Sequence, residues 1–240
     1  LNKDSFYFLH IIKTAGRFFT QNIVVPLDKI LKENNIKNFY DRDSYVAHQH
    51  WANFITDKTY VTSLFRDPVA HTVSTYSHYS MLGDDTRRLV PVGDLNYDKY
   101  KMFDWMEKNK NIYANIQSKN FLVSNSNMDK SSYVTSSSIK NCILSKEIIF
   151  NRLNEVSLLI RSEDLKEKNI KKVLNKIMSD LNIPIQTINH PMQKASNYWN
   201  PDSTRIYKSL NEKEKEIILN WAKFDAEVFN TNSLFYKMEG

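Results

Sequence analysis

The sequence predicts an α/β fold: one domain over residues 1–240, with a central, mainly parallel sheet flanked by helices. Three observations predict it. Short runs rich in aromatic and β-branched residues alternate with longer segments of helical spacing, the pattern of strands connected through helices. The first of these runs passes through a small-residue turn straight into a helix. The second ends in Arg66-Asp67-Pro68, and proline suits the first position of a helix.

The first strand reads from Phe6-Tyr7-Phe8-Leu9-His10-Ile11-Ile12 and ends in Lys13-Thr14-Ala15-Gly16. Phe18, Ile23, Leu27, Ile30 and Leu31 then recur at helical spacing, with Pro26 as an expected kink. The second strand covers Thr59–Phe65 and leads into a helix whose apolar positions are Val69, Val73 and Tyr76. A third strand is expected at 156–161, and helices near 97–108, 112–122, 146–153 and 165–181. The last helix starts at Asn211, with Glu214 three residues on forming a capping box, and carries Ile217, Ile218, Trp221, Phe224 and Val228. The Ser- and Asn-rich stretch 124–138 reads as a surface loop.

Composition narrows the function classes. With 41% hydrophobic and 25% charged residues the chain can bury a real core, and only 4 Gly and 6 Pro argue against a collagen-like or linker-rich chain. A net charge of +6 favours anionic partners: nucleotides, acidic glycans, nucleic acid or a membrane surface. The 33 Lys and Arg form no polybasic run, so no nucleic-acid partner is expected. The one cysteine, Cys142, excludes an internal disulfide framework and a multi-cysteine zinc site, and its apolar flank reads as a buried thiol. No window approaches the roughly 18 apolar residues of a transmembrane helix, and LNKDSFYFLH lacks a signal pattern. The expected compartment is cytoplasmic, with a lumenal fragment lacking its anchor left open.

The N-terminal strand–turn–helix is P-loop-like and makes a ready anion site. Backbone N–H groups of the turn and the positive end of the helix dipole face the ligand. Lys13 adds a point charge, Thr14 a hydroxyl donor, and Ala15 and Gly16 their amides, with Arg17 as a further cation. A triphosphatase loop would place lysine after the last glycine, whereas Lys13 precedes Gly16. Arg66, at the end of the second strand, can fork two hydrogen bonds onto a phosphate, and Ser74 offers a hydroxyl on the next helix. Taken alone, Arg66–Asp67 could equally cap that helix. No carboxylate-rich metal site is evident.

The pair Phe8-Leu-His-Ile-Ile-Lys-Thr-Ala-Gly16 and Leu64-Phe-Arg-Asp-Pro-Val-Ala-His-Thr-Val-Ser74 resembles the two donor-binding signatures of carbohydrate sulfotransferases, including the heparan sulfate 2-O-sulfotransferase-like enzymes. The resemblance implies that the donor is 3′-phosphoadenosine 5′-phosphosulfate (PAPS) and the product adenosine 3′,5′-bisphosphate (PAP). It implies that Lys13 and its loop hold the 5′-phosphosulfate while Arg66 and Ser74 hold the 3′-phosphate. Asn115-Ile-Gln-Ser-Lys119 resembles the family's Asn-x-Gln-x-Arg segment, and Ser209–Ile218 with Asp225 and Phe229 resembles its closing helix. Lys194 and Ser196 lie where the family places a further cofactor loop. The chain departs from the pattern at Arg17 and Phe18, where small hydroxyl residues are usual, and at His71, where arginine is common.

The acceptor hydroxyl must lose a proton as it attacks, which calls for a base near neutral pKa. Among the six histidines, His48-Gln49-His50 resembles the family's His-Gly-His segment. That match implies His50 as base and His48 as support. His10 is expected to be a packing histidine, and His78 a packing or acceptor-site residue. The implied partner is a carbohydrate or another hydroxyl-bearing acceptor, for which Arg87 and Arg88 could line a groove; the oligomeric state is not legible. Two other readings stay open: a nucleotide-dependent phosphotransferase on the same loop, and a non-catalytic module that binds a nucleotide or a sulfated glycan.

Overall fold

The computed structural model describes residues 3–11, 13–39, 51–52, 55–82, 99–122, 124–125, 142–188 and 201–238. His48, His50, Arg87, Arg88, Lys194 and Ser196 lie outside the described residues. The fold is α/β, with an all-parallel four-stranded sheet flanked by helices, as the sequence predicts. Strand β1 (Ser5–Leu9) is followed by α1 (Gly16–Phe19), a π-helical stretch (Thr20–Val24), α2 (Val25–Glu33) and the short β2 (Lys37–Asn38). A two-residue β3 (Trp51–Ala52) precedes β4 (Thr59–Phe65), α3 (Pro68–Leu82), α4 (Lys99–Tyr113) and α5 (Ile116–Leu122). Next come β5 (Ser124–Asn125), α6 (Lys146–Glu155), β6 (Leu158–Arg161) and α7 (Ile170–Asp180). The order ends with α8 (Pro201–Ser209), α9 (Glu212–Trp221) and α10 (Lys223–Asn230).

The sheet order is β2-β1-β4-β6, and β3 pairs with β5 in a separate parallel ribbon. Every residue of β1 and β4 is buried, as strands covered on both faces must be. Side-chain alternation sends Phe6 and Phe8 into one core with Leu27, Leu31, Val173 and Ile177 of α2 and α7. Tyr7 and Leu9 go into the opposite core with Phe121, Ile149 and Val228 of α5, α6 and α10. Polar groups inside the sheet are satisfied by neighbouring strands: Ser63 Oγ donates to the Leu9 carbonyl at 2.9 Å, and Thr62 Oγ1 to that of Leu158 at 3.0 Å. A third cluster joins Val69, Val73 and Tyr76 of α3 to Met102, Met106, Ile206 and Ile218. Among the described residues, no helix is long and apolar enough to cross a membrane.

Several elements differ from the sequence-based expectation. The expected kink at Pro26 is a π-helical turn just before it. Pro26 has no N–H for the carbonyl four residues back, and the Val25 N–H reaches five residues back, to the Thr20 carbonyl. The helix from Asn211 keeps its capping box, with reciprocal bonds between Asn211 and Glu214. It breaks at Ala222, and Ile217 faces solvent while Ile218 is buried. The helix expected from 165 begins at Ile170, after 3-10 turns at Ser162–Asp164 and Glu167–Asn169. Cys142 is part-exposed rather than buried, next to an exposed Ile143.

Candidate functional site

Because β1, β4 and β6 are parallel, their C-terminal ends open on the same edge of the sheet, where ligands of open α/β sheets bind. Three segments converge there: Lys13–Gly16 after β1, Arg66–Asp67 after β4, and Ser162–Glu163 after β6. Direct hydrogen bonds join them. Arg66 Nη1 donates to the Lys13 carbonyl at 3.1 Å, and Ser162 Oγ donates to the Thr14 carbonyl at 2.8 Å. The Lys13–Gly16 loop is thus tied to the ends of both β4 and β6.

The loop is conformationally strained. Five described non-glycine residues have positive φ, and three of them, Asn35, Asn115 and Asn182, are of the type that tolerates it. The other two are Lys13 (φ 59°) and Ala15 (φ 63°), both in this loop. Each costs on the order of 1–2 kcal/mol, and successive amides around left-handed residues form anion-binding concavities. Ala15 stands exposed at the tip, and Gly16 begins α1 beneath it. Gly16 is required for space. A Cβ there would come within 1.9 Å of His10 Nε2 and 2.0 Å of His10 Cδ2. His10, just past β1, sets its ring against this glycine and stacks it on Phe8, with centroids 5.5 Å apart.

The sequence-predicted side chains fall into place unevenly. Thr14 is buried, and its hydroxyl donates to the Ile11 carbonyl at 2.8 Å, so that proton braces the turn instead of being offered to a ligand. What Thr14 can present to an anion is its backbone amide. Lys13 is half-buried, and Arg17 is exposed in the first turn of α1. Burial, with added repulsion from Arg66 and Arg17, pulls the Lys13 ammonium down to about 8. His78 of α3 shares this neighbourhood: burial first, and the Lys13 charge second, push its imidazole down to about 4. Burial also lowers His10 to about 4. Ser74 lies buried in the second turn of α3, and His71 is buried there as well.

Asp67 takes the capping role left open by the sequence. Its Oδ1 accepts from the Ala70 amide at 2.8 Å, with Pro68 at the first helical position of α3. Arg66 is therefore not committed to Asp67. Its Nε lies 3.9 Å from Glu163 Oε1, an oxygen that also accepts the Asp67 amide at 3.2 Å. Burial raises the Glu163 carboxyl against the pull of these contacts. Tyr207 of α8 stands close enough to feel Asp67, Glu163 and Arg66.

Residues 115–119 have roles that their spacing does not announce. Gln117, fully buried, pairs with the Arg66 main chain: Oε1 accepts from Arg66 N at 2.8 Å and Nε2 donates to Arg66 O at 3.0 Å. Helices α5 and α10 cap each other. Asp225 accepts from the amides of Gln117 (3.3 Å) and Ser118 (2.8 Å) and from Ser118 Oγ (2.6 Å). Asn115 Oδ1 accepts in return from the amides of Phe224 (2.7 Å) and Asp225 (3.2 Å). Burial lifts the Asp225 carboxyl to about 6 despite those donors. Lys119 is buried too, its Nζ donating to the carbonyls of Asn111 (2.8 Å) and Ile112 (3.3 Å) at the end of α4.

Ser162, Glu163 and Tyr207 were not anticipated as site residues. The first two carried a usable signal, since a hydroxyl and a carboxylate directly follow a strand of a parallel sheet. Tyr207 carried none, because α8 was not foreseen. Comparison with protein-family models, with curated proteins and with solved structures gives no match for this chain.

Proposed function

We propose that the chain is a sulfotransferase that takes a sulfuryl group from PAPS, leaving PAP, and delivers it to a hydroxyl, most naturally on a carbohydrate. One observation carries the reading above the others: Lys13 and Arg66, at the ends of adjacent parallel strands, are joined by the Arg66–Lys13 carbonyl bond across a loop with two left-handed non-glycine residues. Two cations converging on a strained amide loop, one of them with its guanidinium bonded to the main chain of the other, suit a ligand with anionic groups at two points, as a 3′,5′-substituted nucleotide has.

In this reading Lys13 and the amides of Ala15 and Gly16 stabilise charge on the departing 5′-phosphate. Arg66, which spends Nη1 on the Lys13 carbonyl and sets its Nε side towards Glu163, turns its remaining N–H groups to the 3′-phosphate, with Ser74 as a further donor. His50 takes the acceptor's proton as the acceptor oxygen bonds sulfur and the sulfur–oxygen bond to phosphate breaks. His10 and His78, held near 4, are weak bases at neutral pH, and His50, with His48 in support, is the base that the resemblance of His48-Gln49-His50 to the family's His-Gly-His segment implies. Arg17, Lys194 and Ser196 complete the proposed donor contacts.

Calorimetry with PAP, AMP and ATP on wild type and Arg66→Ala tests the donor site. Binding that needs the 3′-phosphate and is lost in Arg66→Ala supports the reading. Equal or tighter binding of ATP, or indifference to Arg66→Ala, overturns it in favour of phosphoryl transfer. Turnover of PAPS with polysaccharide acceptors, abolished in His50→Ala, then separates an enzyme from a binding module.

A further inference from the structure

The side chain that fixes Arg66 is not among those that resemble a donor signature. The ladder between β4 and β6 ends at Phe65, paired with Arg161, so the Arg66 amide and carbonyl lie one residue past the last registered pair. Gln117 meets both groups at once, with acceptor and donor in the arrangement of one more strand. The carboxamide is the side chain that can do this. A glutamate lacks the donor, a lysine lacks the acceptor, and an apolar residue of that size would leave both half-buried main-chain groups without this partner.

Gln117 is itself held. Its own amide and that of Ser118 end on Asp225, and the Asn115 carboxamide caps the helix that carries Asp225. Between the sheet edge and α10 there is thus a continuous line of hydrogen bonds from the Arg66 main chain through Gln117 to Asp225. Arginine is long, and a small shift of its Cα is magnified at the guanidinium, where bidentate contact tolerates little misplacement.

We propose that Gln117 is a positioning residue for Arg66: it pins the main chain at the exit of β4, and the mutual caps of α5 and α10 hold the pin. This rests on the reading above, in which Arg66 takes the 3′-phosphate. The test compares wild type, Arg66→Ala, Gln117→Met and Gln117→Glu as full chains. Gln117→Met removes both bonds without adding charge. Gln117→Glu keeps the acceptor and serves if the methionine variant does not fold.

Two readouts are taken. The first is the ratio of PAP to AMP affinity, the increment due to the 3′-phosphate. The second is the Nε–H signal of Arg66 in the ligand-free protein, identified by its loss in Arg66→Ala. We expect a folded Gln117 variant to lose about tenfold of the PAP preference, on the scale of one bond to a charged group, with AMP binding within about threefold. Its Arg66 signal should shift or broaden. A folded variant with the wild-type ratio and an unmoved signal overturns the proposal. If wild type shows no preference for PAP, the sulfotransferase reading falls, and the Arg66 signal alone still decides whether Gln117 positions this arginine.

Discussion

Replacing Gly16 by alanine sets two effects of opposite sign against each other. Gly16 opens α1, and alanine is the better helix former by up to about 1 kcal/mol. Against this, the new methyl would lie 1.9–2.0 Å from the His10 ring, and the ring would have to leave its place on Phe8. Overpacking of this kind costs about 1–3 kcal/mol, and the lost ring stacking about 0.5–1.5 kcal/mol more. Sterics win, so Gly16→Ala should lower the unfolding free energy by about 1–3 kcal/mol, or the midpoint by about 2–4 °C for each kcal/mol in a chain of this size. A double-mutant cycle with His10→Ala isolates the cause. With the ring removed, Gly16→Ala should become neutral or stabilising, giving a coupling of about 2 kcal/mol by urea unfolding of the four proteins. Coupling within about 0.5 kcal/mol of zero would refute the claim that His10 is why position 16 must be glycine.

Two titrating groups give further expectations. Asp225 is raised from 3.8 to about 6, so between those values the folded protein holds its proton more tightly than the unfolded chain, and its contribution to stability falls as pH rises through that window. Above pH 6 the cost is about 3 kcal/mol; Asp225→Asn should therefore gain on wild type between pH 4 and 7, and equal pH slopes by chemical denaturation would contradict this. Lys13, lowered from 10.5 to about 8, costs the ligand-free fold stability below pH 8 that returns as pH rises towards 10.5. Discounted for its partial exposure, that is about 1–3 kcal/mol. Lys13→Met should thus be more stable at pH 7 while losing PAP affinity; a variant that binds PAP normally, or gains no stability, would show that Lys13 is not a strained anion ligand.

Much of the framework was legible because its periodicities are strong. Thr59–Phe65 is an apolar and β-branched run interrupted only by Ser63, Asn211 and Glu214 form the capping box that their spacing announces, and Pro68 starts its helix. What escaped has physical reasons. Strand β2 is two residues long and carries no alternation. The break at Ala222 interrupts a run of helical spacing because the next helix takes its caps from Asn115, more than 100 residues away in sequence. The site was half legible. Lys13 and Arg66 stand at strand ends, where pattern reading looks, but Thr14 turns its hydroxyl inward, and Gln117 reaches Arg66 across 51 positions. Tertiary hydrogen bonds of that kind leave no local mark.

The mutual caps of α5 and α10 also bear on when the sheet edge can mature during synthesis. Lys13, Arg66 and Gln117 all leave the ribosome well before Asp225, the carboxylate that holds the first turn of α5. At the usual pace of about 5–20 residues per second, the three core strands can be paired seconds before their clamp exists. Behind α10, the Tyr236 amide closes on the Leu159 carbonyl at 2.8 Å, so the outer edge of β6 is also covered last. A nascent chain halted short of residue 225 should therefore carry an assembled sheet whose Arg66 is not yet held in place, and the proposed anion site should be completed late and abruptly.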